Sequence, residues 1–160
     1  MTLAPSVRVA LAASRTVATG VLAEKWIPRD PACVASVRRF AYDTATDWAV
    51  ADDIPDVAAL LVSELATNAF THVPMAGPVR ITLAREAELL IVEVHDPSTE
   101  IPRVTASADL AAESGRGLTI VHNLAHNWGW TLTPTGKCVW FDLLAWPTGG
   151  TRQEGAAESG

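Results

Sequence analysis

The chain has 160 residues, enough for one domain with a single substantial core. Hydrophobic residues make up 49% and charged residues 19%, a balance that fits a soluble globular protein. The formal charge of −6 and the lack of any basic run argue against non-specific nucleic-acid binding, and the isolated Cys33 and Cys138 point to a reducing compartment rather than a disulfide framework.

Residues 1–21 are read as an N-terminal extension, rich in Ala, Val, Ser and Thr with weak periodicity. Their apolar run is short and broken by Arg8 and Arg15, so neither a signal peptide nor a membrane span is expected, and the location expected is cytoplasmic. Leu22 to Ile27 reads as a short strand ending at Pro28. Asp30-Pro31 is an N-cap followed by proline at the first helical position, and Val34, Val37, Ala41, Ala45 and Trp48 then trace an amphipathic helix.

Asp53-Ile54-Pro55-Asp56 opens a second helix that ends near His72. Val57, Leu60, Leu61, Leu65 and Ala69 recur at helical spacing and form its apolar stripe. Glu64 and Asn68, four residues apart and so neighbours on one face, interrupt it. A carboxylate facing a core costs roughly several kcal/mol unless a cation or donors meet it, and nothing basic lies within a turn of Glu64. Either this face borders a cavity that holds a ligand, a metal with its water among the candidates, or Glu64 sits on the solvent rim.

Pro74 and Gly77-Pro78 form a turn, after which Val79 to Leu83 and Leu89 to His95 alternate as strands. In the second, Leu90, Val92, Val94 and Asp96 share one face, while Leu89, Ile91, Glu93 and His95 share the other, which is expected to be the wetter. Asp96 thereby inherits the buried direction at the carboxyl end of a strand, where open α/β sheets place ligand groups. A turn-initiating Asp before Pro97 is the alternative.

Pro97 to Ser114 reads as a long loop of the functional or disordered kind. It ends at Gly115-Arg116-Gly117, and a helix is expected from Leu118 to about Asn127. Glycines opening a helix leave backbone N–H groups free to approach an anion, though the same pattern also makes a plain turn. His122 and His126 have a metal-gripping spacing without an evident third ligand, and His72 reads as a pocket-edge or capping group. Trp128 to Thr133 and Cys138 to Leu144 finish as strands joined by a turn at Pro134 to Gly136, and residues 147–160 are expected to be a disordered tail. The Gly-x-Ser-x-Gly and Walker-type phosphate loops are absent.

Taken in order, a helix with Glu-x-x-x-Asn, a strand ending in Asp and a Gly-rich helix start after a long loop resemble the GHKL superfamily of ATPases and kinases. Within it, the chain is most similar to small anti-sigma-factor serine/threonine kinases, over residues 22–146. The pieces that carry the resemblance are Ser63-Glu64-Leu65-Ala66-Thr67-Asn68-Ala69, Asp96-Pro97-Ser98, Gly115-Arg116-Gly117-Leu118 and Gly136-Lys137-Cys138-Val139-Trp140-Phe141.

The resemblance implies a two-layer α/β sandwich, a mixed, mainly antiparallel sheet with helices on one face, of the histidine-kinase-like ATPase kind. It implies ATP or ADP with Mg²⁺ as cofactors. Asn68 would ligate Mg²⁺, Glu64 would be the general base, and Asp96 would accept from the adenine amino group. Gly115 and Gly117 would meet the phosphates, residues 98–114 would form the lid, and Thr67, Arg116, Leu118 and Cys138 would complete the nucleotide site. The implied partners are a sigma factor and an antagonist protein that the kinase phosphorylates, with no direct nucleic-acid or membrane contact; a homodimer is compatible. The alternative is a nucleotide-responsive binding module without phosphoryl transfer. Two departures stand out: Asp96-Pro97-Ser98-Thr99-Glu100 lacks both glycines of the family's Asp-x-Gly-x-Gly box, and Cys138 replaces a threonine common in related kinases.

Overall fold

The computed structural model describes residues 22–71, 77–99 and 113–147. The expected N-terminal extension, the segment 98–114 expected to form a lid and the expected C-terminal tail fall outside these residues almost entirely, as does His72.

Three helices lie on one face of a five-stranded sheet. The strands are β1 (Leu22–Ile27), β2 (Val79–Glu86), β3 (Leu89–Asp96), β4 (Asn127–Thr133) and β5 (Gly136–Leu144). Their spatial order is β1-β2-β3-β5-β4. Every pairing is antiparallel, so the mixed sheet that was expected has no parallel pair among the described strands. The α/β sandwich of the histidine-kinase-like kind is the architecture found.

The helices are α1 (Val34–Asp47), α2 (Ile54–Thr71) and α3 (Glu113–Leu124). Asp30 caps a single 3₁₀ turn, Pro31–Cys33, by accepting from the Ala32 N–H at 3.0 Å, and α1 continues from it. On α2 the fully buried positions are Ala58, Leu61, Val62 and Ala66, with Leu65, Ala69 and Phe70 nearly so. This stripe is rotated from the expected one: Leu60 is 40% exposed, because Ala58, Val62 and Ala66 bring the helix close to its neighbours and turn Leu60 outward. α2 packs against α1 and α3 and across β3, which makes it the central helix of the layer.

The inner face of the sheet supplies Ile81, Leu83, Leu90, Val92, Val94, Val139, Phe141 and Trp128 to the core. The outer face was expected to be wet around Glu93 and His95. It is dry at its centre, with Ile91 at 0% and Glu93 at 4% exposure. β3 is the middle strand, and flanking side chains on β2 and β5 cover its outer side.

Two departures concern the last third of the chain. α3 begins at Glu113, not after the glycines, and ends at Leu124, so Gly115 and Gly117 lie inside the helix. Burial of Leu118 and Val121 on α2 and the sheet outweighs the roughly 1 kcal/mol that each helical glycine costs. The hairpin turn is the two residues Pro134 and Thr135, and Gly136 already belongs to β5.

Candidate functional site

β3 ends in Asp96, whose side chain shares the inner face with Val92 and Val94. It is 5% exposed. Its Oδ1 accepts from the Ser98 backbone N–H at 2.7 Å, the turn-forming bond expected of an Asp before proline. The same carboxylate also meets Lys137, whose Nζ lies 3.2 Å from Oδ1 and 3.1 Å from Oδ2. Lys137 is 6% exposed, so this is a buried ion pair, not a surface one.

The register explains the pair. Asp96 stands directly opposite Lys137 across β3 and β5. Gly136, just before it, has φ +158° and passes so close to β3 that a Cβ there would sit 2.0 Å from the Asp96 carbonyl oxygen. Only glycine lets the two strands meet at that point.

Period-2 alternation then sends Cys138 to the opposite face, where it is paired with His95. Cys138 therefore does not stand beside Asp96, and Lys137 is the residue that does. Burial, and secondarily the Glu93 carboxylate, push the Cys138 thiol far above the ordinary thiol range, so it is neutral at physiological pH.

Glu64 and Asn68 stand on α2 at the border between its buried stripe and its open side, both half-buried. Among the described residues no cation meets Glu64 within ion-pair distance. Thr67, between them in sequence, is exposed, and its hydroxyl donates back to the Ser63 carbonyl at 2.8 Å. These α2 residues border the helix layer, on the side of the sheet that Asp96 faces.

α3 packs against α2. With the helix starting at Glu113, Gly115 lies in the first turn, where backbone N–H groups have no partner within the helix, and Gly117 lies one residue past that turn. Arg116 falls between them, and Leu118 is 2% exposed in the core. The two histidines do not share a helix: His122 Nδ1 accepts from Trp128 Nε1 at 3.1 Å, and His126 lies beyond the end of α3. No metal grip forms there.

The donor set suits a nucleotide with its metal. A buried carboxylate at a strand end accepts from an amino group, an amide oxygen on a half-exposed helix face is a hard ligand, and first-turn amides favour phosphate. Lys137 is the partner of Asp96 that motif reading misses, although the apolar positions Val139, Phe141 and Leu143 place residue 137 on the inner face by alternation.

No curated protein sequence matches the chain. A family model, that of the histidine kinase-like ATPase domain, matches residues 27–143.

Proposed function

The chain belongs to the histidine kinase-like ATPase family, and from that premise we propose an ATP-binding regulatory protein that phosphorylates a serine or threonine of an antagonist protein and sequesters a sigma factor. The observation that carries this reading is the pair Glu64 and Asn68, held one turn apart on the half-buried border of the central helix. A module that only senses nucleotide has no use for a carboxylate at that position that no cation among the described residues meets.

Mg²⁺-ATP, when bound, supplies the transferable phosphoryl group. Asp96 and Lys137 would recognise the base, the carboxylate by accepting and the ammonium by donating. The Asn68 side-chain oxygen would hold the metal, and the backbone at Gly115 would meet phosphate oxygens. Glu64 would accept the proton of the attacking hydroxyl. The chemistry asked of the protein is mostly placement and charge neutralisation.

One observation favours the second reading, a nucleotide-responsive binding module without transfer. Asp96 already receives the Ser98 N–H and the Lys137 ammonium, so a base gains less from it than from an open carboxylate.

A radiolabelled-ATP assay with candidate antagonist proteins separates the two, with slow ATP hydrolysis as a second readout. Glu64→Ala should lower transfer by about 10²–10⁴-fold while ATP affinity stays largely in place. Asn68→Ala should instead weaken Mg²⁺-dependent binding. A parent chain that binds ATP, yet neither transfers nor hydrolyses, establishes the binding module in place of the kinase.

A further inference from the structure

The outer face of the sheet gathers a second group of chemistry-bearing side chains. β3 contributes Glu93 and His95, β5 contributes Cys138, and the His95–Cys138 register puts all three on the side away from the helices. One ligand atom from each, a carboxylate oxygen, an imidazole nitrogen and the Cys138 sulfur, lies within 4.8 Å of the other two. Glu93 is 4% and Cys138 1% exposed, with Ile91 and Trp140 beside them also buried. His95 Nε2 is 2.9 Å from Glu93 Oε1, and the Thr82 hydroxyl donates to that same oxygen at 3.2 Å.

We propose that Glu93, His95 and Cys138 bind a divalent transition-metal ion of borderline softness, Zn²⁺ foremost. Zinc takes sulfur at about 2.3 Å, and imidazole nitrogen and carboxylate oxygen at about 2.0–2.2 Å. A tetrahedral ion with those bonds holds its ligand atoms about 3.2–3.7 Å apart, a separation that lies within the present span of the cluster. Sulfur and nitrogen donors select against Mg²⁺, so the hard cation expected on the inner face does not compete for this one.

Three further features suit a ligand set. The three side chains stand on adjacent central strands, which hold them in place before any ion arrives. Thr82 orients the carboxylate from outside, as outer partners of metal ligands do. The His95 side chain is 16% exposed, which opens that edge to solvent and leaves the fourth coordination position to water. As the ion binds, the Cys138 thiol proton leaves to solvent, and Nε2 exchanges its contact with Glu93 for the metal. The next pair along the strands, on the opposite face, is Asp96 with Lys137, so the ion ties β3 to β5 directly behind the base-recognition pair.

The test uses the full chain, stripped with a chelator and titrated with Co²⁺ as a spectroscopic probe, then with Zn²⁺. Stoichiometric Co²⁺ should produce a thiolate-to-cobalt charge-transfer band and the visible bands of a tetrahedral site, and Zn²⁺ should abolish both. Cys138→Ser, checked by circular dichroism, should lose the charge-transfer band, while Cys33→Ser should keep it. His95→Gln, at the partly exposed ligand, should weaken Zn²⁺ binding by more than the roughly 10–100-fold that loss of an outer partner costs. The proposal is overturned if the parent binds no ion stoichiometrically, or if the band follows Cys33. Should Cys138→Ser fail to fold, His95→Gln decides alone, and unchanged Zn²⁺ affinity there overturns the proposal.

Discussion

Lys137 and Asp96 neutralise each other inside the protein, and neither is easily changed alone. Removing one partner of a buried pair leaves an uncompensated charge and costs about 3–5 kcal/mol. Asp96→Ala and Lys137→Met should each lower unfolding free energy by that order in urea titrations. The double variant should lose clearly less than the two single losses added together, because the stranded charge is then gone. Additive losses would show that the two side chains do not depend on each other. For the same reason, ATP affinity of Asp96→Ala reports on the base contact only after its folding has been checked. Asp96 itself was legible from strand alternation and its place at a strand end. Lys137 was not read from motifs, because its meaning lies in which residue stands across the β3–β5 pair, 41 positions away in the chain.

The elements were legible wherever burial is one-sided. The alternation of β2 and β3 and the apolar spacing of α1 and α2 gave their types and nearly their ends. α3 was misjudged because glycine reads as a helix boundary, whereas packing of Leu118 and Val121 carries the helix back past both glycines. Cys138 was misjudged because its face follows from register rather than from motif position. The β2–β3 turn offers a test at this scale. Ala87 holds φ +55°, a left-handed conformation that costs a residue with a Cβ about 1–2 kcal/mol. Ala87→Gly relieves that cost at the expense of extra freedom in the unfolded chain. A net gain in stability of about 1 kcal/mol or less is expected, read as a higher urea midpoint at unchanged slope. A lower midpoint would mean that the added freedom of the unfolded chain outweighs relief of the left-handed dihedral.

Across the whole molecule, an antiparallel sheet with helices on one face leaves two separate chemistries back to back. The inner face carries the buried Asp96–Lys137 pair, and the outer face carries a thiol, an imidazole and a carboxylate. No helix among the described residues is long and apolar enough to cross a membrane. The strand order has a consequence for how the chain folds. β2–β3 and β4–β5 are hairpins closed by two-residue turns, so each can form locally, whereas β3 and β5 pair from opposite sides of α3 in the chain. Joining the hairpins, like adding β1 to β2, is a slow, non-local step in such a topology. Asp96 and Lys137 meet only across that join. A half-assembled sheet therefore lacks this buried pair, and on the proposed reading the base contact forms only when the two hairpins join. Mg²⁺-ATP should then leave the refolding arm of a chevron plot unchanged and lower only the unfolding arm, since it grips a structure that the transition state has yet to complete.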